Sequence, residues 1–416
     1  MKTTVKPSQY KGEISANPSK SIMQRVIALA ALSDTPTVIK NMDKSNDSMA
    51  ALGVCEAMGC DVNIKGDSVV VNPAKTPKHN VWNVGESGLS ARMFAPIAGL
   101  FKEDITITGK GSLLNRPMNT VIDALEKLGL EVKHNGGYLP LEIKGEITNY
   151  SFELDLSAGS QLLTGLLIAL SKAKQDSEIK VKNLKSKPYI DLTKCVLAAF
   201  GARIENDGYK RFFIPGNSIL SRAEFTVEGD WSGVAFHLVG AAISGSVKIN
   251  GINPKSKQSD RAILDVLGHV GAEVIKEKNS VFVKKNELSA FEFDATDAPD
   301  LFPPLAVLAA YCSGKSKIKG VSRLKHKESN RYDTIKTEFE KLGIKVVQDG
   351  DFMIIQGGKP MGGKAYSHND HRIAMAMAIL GLKAAGNIEI ENSESINKSY
   401  PGFFEDYVKL GGNCTK

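Results

Sequence analysis

Six glycines, Gly59, Gly129, Gly201, Gly271, Gly343 and Gly411, recur along the chain at separations of 70, 72, 70, 72 and 68 residues. Each closes an amphipathic run, as in VIDALEKLGLEV from Val121, VLAAFGARIEN from Val196, VLGHVGAEVIK from Val266 and FEKLGIKVV from Phe339. CEAMGCDVNI from Cys55 is a further copy, and YVKLGGNCTK (Tyr407–Lys416) a truncated sixth. A period of this size means that one supersecondary unit is repeated and must bury its apolar faces against its copies. A second, more apolar helix alternates with the first: SIMQRVIALA, SARMFAPIAG, SQLLTGLLIA, DWSGVAFHLV, DLFPPLAVLA and DHRIAMAMAI. Apolar residues on nearly every side predict that these helices are buried. Their opening residues, Ser21, Ser90, Ser160, Asp230, Asp300 and Asp370, are 69, 70, 70, 70 and 70 apart. Ser and Asp are preferred N-caps, because a side-chain oxygen satisfies an N–H of the first turn.

A short β-prone run follows each buried helix, so every unit reads strand-helix-strand-helix-strand-strand. The expected fold is α/β, with two similar domains of three βαβαββ repeats each. The change from Ser to Asp caps divides them into residues 19–229 and residues 1–18 plus 230–416. The sixth copy ends before its last strands, so Met1–Ser15 is expected to complete its sheet.

Composition narrows the function. With 42% apolar residues the chain is an ordinary globular one, and its net charge of +7 is spread without a block of basic residues. No nucleic-acid partner is expected. No run approaches a membrane span, and the N-terminus lacks the apolar stretch of a secretion signal, so a cytoplasmic protein is expected. Five scattered cysteines suit neither a disulfide framework nor a zinc site. No phosphate-binding glycine loop, dinucleotide fingerprint, HExxH or nucleophile elbow occurs.

Polar residues gather instead at the helix starts, where unpaired N–H groups and the helix dipole favour anions. Lys20, Ser21 and Arg25 open the first buried helix; Glu86, Ser87, Gly88, Ser90 and Arg92 surround the second; Ser160 and Gln161 open the third. Arg372 follows Asp370 at the offset by which Arg92 follows Ser90. One buried arginine is as readily a structural ion pair, but two at matched repeat positions favour a ligand. A basic residue also precedes every repeat glycine by 13 to 16 positions: Lys44, Arg116, Lys187, Lys257, Lys327 and Lys398. Single lysines there are ordinarily solvated. Richer contexts are LNRP with Arg116, SKPY with Ser186 and Tyr189, and KHKESNR with Lys327, Glu328 and Arg331. Arginine suits bidentate contact with phosphate and carboxylate, lysine a point contact. From spacing alone the three Asp residues could simply be caps, and Glu328 a structural partner of its neighbours.

Ten motifs in order carry a resemblance over nearly the whole chain: PSKSIMQR (Pro18–Arg25), GESGLSAR (Gly85–Arg92), NRP (Asn115–Pro117), GSQLLTGLL (Gly159–Leu167), SKPYID (Ser186–Asp191), VEGDWS (Val227–Ser232), APD (Ala298–Asp300), KESNR (Lys327–Arg331), NDHRIAM (Asn369–Met375) and INKSYPGFF (Ile396–Phe404). The sequence resembles the 5-enolpyruvylshikimate-3-phosphate synthases. The resemblance implies a two-domain enolpyruvyl transferase fold with its active site in the interdomain cleft, a monomer, and neither metal nor organic cofactor. It implies transfer of the enolpyruvyl group of phosphoenolpyruvate to the 5-hydroxyl of shikimate 3-phosphate, with release of phosphate through a tetrahedral adduct. By motif, Lys20, Ser21, Arg25, Ser160, Gln161, Ser186, Tyr189 and Lys327 would contact shikimate 3-phosphate. Lys20, Gly88, Arg92, Arg116, Arg331, Arg372 and Lys398 would surround phosphoenolpyruvate. Asp300 would be the base at the target hydroxyl, Glu328 the proton donor, and Lys20 a third catalytic group.

Some positions depart from the family pattern: Glu86 for Asn, Leu89 for Thr, Gly159 for Ser, Arg323 for Asn and Asn330 for Asp. Glu86 brings negative charge to a site for anions. Either it is paired with Arg92 or a lysine, or it weakens phosphoenolpyruvate binding and alters the response to glyphosate, the family's inhibitor. Two alternatives stand beside the main reading. One is UDP-N-acetylglucosamine 1-carboxyvinyltransferase, whose reactive loop cysteine has no counterpart in Phe101–Pro117. The other is a catalytically impaired anion-binding relative.

Overall fold

The computed structural model describes residues 1–74 and 76–415; Lys416, the end of the sixth repeat copy, lies outside them. The chain forms two units, Lys20–Val227, and Met1–Ser19 with Glu228–Lys416. The first contains helices α1 (Lys20–Ala31), α2 (Asn46–Ala57), α3 (Gly88–Ala98), α4 (Asn119–Lys127), α5 (Gln161–Ser171) and α6 (Lys187–Ala199). The second contains α7 (Trp231–Ser244), α8 (Ile263–His269), α9 (Phe302–Tyr311), α10 (Arg331–Lys341), α11 (His371–Gly381) and α12 (Phe403–Lys409). Odd-numbered helices are the apolar family. Every residue of α7 and of α11 is buried, whereas α4 buries one face through Val121, Ile122, Ala124 and Leu125. Each unit has its own core, built on these helices and the inner faces of three sheets.

Among the described residues all six sheets have four strands in one pattern. In the second repeat Val81–Asn83 runs parallel to Ile105–Thr108, which pairs antiparallel with Tyr138–Lys144 and so with Glu131–Asn135. Alternate residues such as Ile107 and Leu141, paired in register, face the core. The repeat glycines all adopt φ between 82° and 105°, the left-handed conformation that ends a helix and that a Cβ disfavours. That requirement explains their strict recurrence.

Strand exchange joins distant parts of the chain. Lys2–Lys6 lies between Ile388–Glu391 and Asn413–Thr415, antiparallel to both, and supplies the missing strand of the sixth repeat. Lys11–Ser15 differs from expectation: it runs parallel to Ser246–Asn250, in the sheet of the fourth repeat. Its place before α1 is taken by Glu224–Thr226, parallel to Thr37–Lys40.

The expected caps need correction. Asp230, Ser160 and Asp370 stand at N-cap positions, and the carboxylates of Asp230 and Asp370 accept from Gly233 N and Arg372 N. Ser160 makes no capping bond through its side chain. Ser21 is already inside α1, and α3 is capped by Ser87, whose Oγ accepts from Ser90 N at 3.1 Å. Asp300 caps nothing: a 3₁₀ turn, Pro299–Leu301, precedes α9 and turns its carboxylate elsewhere. Arg92 consequently lies a turn deeper into its helix than Arg372 does.

Candidate functional site

The chemistry divides between the units. In Lys20–Val227 the first turn of α1 presents Lys20 and Ser21, and Lys20 Nζ donates to Asp47 Oδ2 at 2.8 Å. One turn on, Arg25 is 2% exposed. Its Nε donates to Thr193 Oγ1 at 2.9 Å, Nη1 to the Ser21 carbonyl at 2.6 Å, and Nη2 to Thr164 Oγ1 at 3.3 Å and the Tyr189 carbonyl at 3.4 Å. Its guanidinium also lies 6.0 Å from the Tyr189 ring centroid. Every partner is a neutral oxygen, and among the described residues no carboxylate forms an ion pair with it. Burial pushes its pKa down to about 10, against a small opposing influence of Tyr189. A buried cation without counter-charge is costly, and an anion bound beside it would offset that cost.

The starts of α1, α3, α5 and α6 gather most of the other residues. Gln24 on α1 accepts from the hydroxyls of Ser87 and Ser90, at 3.0 and 3.2 Å, and so ties α1 to the start of α3. Gly88 then receives two guanidiniums. A Cβ there would lie 2.7 Å from Arg116 Nη1, 3.2 Å from Arg92 Nη1 and 3.7 Å from Gln161 Oε1. Arg92 is held by the carbonyls of Gly88 and Pro117, each at 3.1 Å. Ser160 is buried at the start of α5. Ser186, buried in left-handed conformation, starts α6, and its carbonyl accepts from Tyr189 N. Glu86 accepts from both the backbone N and the hydroxyl of Ser112, each at 3.2 Å.

The second unit holds a network of three carboxylates and three cations. Asp300 Oδ1 accepts from Arg331 Nη1 at 2.6 Å and Lys327 Nζ at 3.2 Å, and Oδ2 from Arg372 Nη2 at 3.1 Å. Arg331 also reaches Glu328 Oε2 at 2.5 Å and, through Nε, Asp370 Oδ2 at 2.8 Å. Burial raises the proton affinity of Asp300, but Arg372, Lys327 and Arg331 outweigh it and hold the carboxyl well below the usual range. Burial lowers the pKa of Lys327 despite the nearby Asp300 carboxylate. Lys398 is buried at the end of the turn Ser393–Lys398, which packs on α11.

Lys20, Ser21, Arg25, Gly88, Arg92, Arg116, Ser160, Gln161, Ser186 and Tyr189 thus belong to one unit, and Asp300, Lys327, Glu328, Arg331, Arg372 and Lys398 to the other. Sequence reasoning did not find Asp47, which holds Lys20, or Thr164 and Thr193, which hold Arg25. It also did not find Asp260, buried, bonded by Ser232 Oγ, and pushed up to about 6 by burial and by the neighbouring Asp300 charge. Asp47 and Asp260 lie at helix or turn starts, where the dipole already accounts for an acidic residue, so neither stood out. Among the described residues no cluster of metal-ligating side chains is present, and no helix is long and apolar enough to cross a membrane. Cationic helix N-termini can bind polyanions, and a set of carboxylates with a lysine can move protons.

Residues 5–407 match the family model of EPSP synthase (3-phosphoshikimate 1-carboxyvinyltransferase). The chain is 36% identical to a 3-phosphoshikimate 1-carboxyvinyltransferase of Clostridium novyi, covering 98% of this chain and 96% of that one. It is 37% identical to a protein of the same name from Methanothrix thermoacetophila, covering 99% of each. A solved EPSP synthase from Acinetobacter baumannii superimposes with a TM-score of 0.83 at 25% identity, over 100% of both chains.

Proposed function

The chain belongs to the EPSP synthase family and is an enolpyruvyl transferase of the shikimate pathway, and from that premise we propose how its residues divide the reaction. Arg25, with Ser21, Ser160, Gln161, Ser186, Tyr189 and Lys327, binds shikimate 3-phosphate. Its buried guanidinium, met by neutral oxygens alone, is the observation that carries this assignment. Arg92 and Arg116, converging at Gly88, bind phosphoenolpyruvate together with Lys20, Arg331, Arg372 and Lys398. The same reading has the chain act as a cytoplasmic monomer on small molecules alone.

In the addition step the 5-hydroxyl oxygen of shikimate 3-phosphate attacks C2 of phosphoenolpyruvate, Asp300 takes the hydroxyl proton, and Glu328 protonates the methylene carbon. The tetrahedral adduct then loses a proton from the new methyl group and expels phosphate, whose developing charge Lys20 and the arginines stabilise. Asp300 is a weak base while three cations surround it. The carboxylate and phosphate of phosphoenolpyruvate compete for Arg331 and Arg372, and each contact they draw away makes Asp300 more basic. Base activation is then coupled to donor binding. Holding both anions in fixed orientation supplies on the order of 7–11 kcal/mol of the barrier.

The test is phosphate release on mixing the protein with phosphoenolpyruvate and shikimate 3-phosphate, with UDP-N-acetylglucosamine as a second acceptor and Asp300→Ala as control. Release that requires shikimate 3-phosphate and is lost in the variant is expected. Release with the nucleotide sugar, or from Asp300→Ala at the original rate, would overturn the assignment.

A further inference from the structure

None of the roles above uses Glu86, although it sits beside the phosphoenolpyruvate residues and carries the wrong charge for an anion site. Its carboxylate is engaged by the turn that leads to Arg116. Oε2 accepts from the backbone N–H and the hydroxyl of Ser112, inside the 3₁₀ turn Gly111–Asn115. The first N–H groups of such a turn have no partner within it, and a carboxylate satisfies one as an N-cap would. The contact is built from both sides. Gly111 has φ +58°, and a Cβ there would stand 2.4 Å from the Glu86 carboxyl carbon, so a side chain at 111 would collide with Glu86. Lys110 N donates to the Gly85 carbonyl at 2.8 Å, extending the contact by one more bond.

The turn ends at Arg116, whose N–H donates to the Leu113 carbonyl. The guanidinium of Arg116 returns to the segment that Glu86 belongs to, at Gly88. Residues 85–88 therefore meet residues 110–116 at three places, Gly85 on Lys110, Glu86 on Ser112 and Gly88 under Arg116. We propose that Glu86 is a positioning residue for phosphoenolpyruvate binding: by clasping Ser112 it fixes the turn that delivers the Arg116 guanidinium to the start of α3. The inference rests on the reading that Arg116 serves phosphoenolpyruvate. It also gives this carboxylate a role here, since it accepts two hydrogen bonds from the turn.

The experiment compares wild type, Glu86→Ala, Glu86→Gln, Arg116→Ala and the double variant Glu86→Ala/Arg116→Ala in steady-state turnover, each checked for folding by thermal melting. Losing a hydrogen bond to a charged group corresponds to about a tenfold change. Glu86→Ala is expected to raise KM for phosphoenolpyruvate by about tenfold while kcat and KM for shikimate 3-phosphate stay within about threefold. Glu86→Gln, whose amide oxygen still accepts from Ser112, restores most of the loss. The double variant is no worse than Arg116→Ala, because the clasp acts through Arg116. A Glu86→Ala enzyme with unchanged phosphoenolpyruvate KM, or one that adds its full effect to Arg116→Ala, overturns the inference. Unchanged KM in Arg116→Ala removes the underlying reading instead. Should Glu86→Ala fail to fold, Ser112→Ala answers the question: a rise of about threefold in the same KM alone supports the clasp, and no rise rejects it.

Discussion

Arg331 Nη1 stands 2.6 Å from Asp300 Oδ1, while Nε of the same guanidinium stands 2.8 Å from Asp370 Oδ2. One buried arginine thereby locks the proposed base to the cap of α11. Truncating one partner of such a network leaves the other charges buried, so the residues are best tested through the pH dependence of catalysis.

Asp300→Asn is expected to lower kcat by about 10²- to 10⁴-fold, the range of general base catalysis. In the native protein the surrounding cations keep Asp300 ionised far into acid, so kcat/KM should show no acid limb at the ordinary carboxylate value. Arg372→Gln removes the strongest of the lowering charges and moves that limb upward. A pH profile of kcat/KM that is superimposable for the two proteins would contradict the coupling.

Arg25→Met separates stability from binding. The substitution removes a buried charge that has no counter-ion, so the ligand-free melting temperature should hold or rise by a few degrees. Affinity for shikimate 3-phosphate should fall about a hundredfold, from two charge-assisted bonds. Calorimetric titration and melting curves of the two proteins read both effects, and a lowered melting temperature with intact affinity would reverse the assignment.

Gly88→Ala places a Cβ only 2.7 Å from Arg116 Nη1 and 3.2 Å from Arg92 Nη1. Flexible guanidinium ends can move aside, so folding is expected to survive. The displaced pair should raise KM for phosphoenolpyruvate by about tenfold or more and leave that for shikimate 3-phosphate nearly unchanged. Steady-state kinetics with each substrate varied in turn decide it.

His237 supplies a stability test away from the site. Fully buried on α7, it has Tyr10 Oη 3.2 Å from Nδ1 and stacks on Phe403 with centroids 4.9 Å apart. Burial pushes its pKa down to about 4, with Asp406 pulling weakly the other way. The unfolded chain, with an ordinary value near 6.5, takes up the proton first. Stability is therefore complete above about pH 6.5 and is lost as pH falls toward 4, by up to about 3 kcal/mol from this group. Denaturant unfolding across that range should show a shallower decline for His237→Gln, and parallel curves would exclude the histidine as the cause.

The repeat was legible in the chain because it is written in local terms. A glycine needed at φ near 90° after each amphipathic helix, and a nearly uniform apolar run for each buried one, recur at fixed distance whatever the partners are. The cationic helix starts were legible for the same reason, since Arg25, Arg92, Arg116 and Arg372 are costly in apolar surroundings and announce a ligand or a partner.

Partners were another matter. Thr193 lies 168 residues from the Arg25 it holds, and Glu224–Thr226 pairs with a strand near the other end of its unit. Neither is encoded by a period, because side-chain direction and strand pairing are settled when apolar faces from distant segments close on one core. The same holds for Ser87 taking the cap position from Ser90, for Asp300 being turned from cap to network, and for Glu86 finding Ser112. Periodicity and residue type determined which elements form and where charge collects; tertiary packing decided which charges meet, since a hydrogen bond depends on ångström-scale placement that no local pattern specifies.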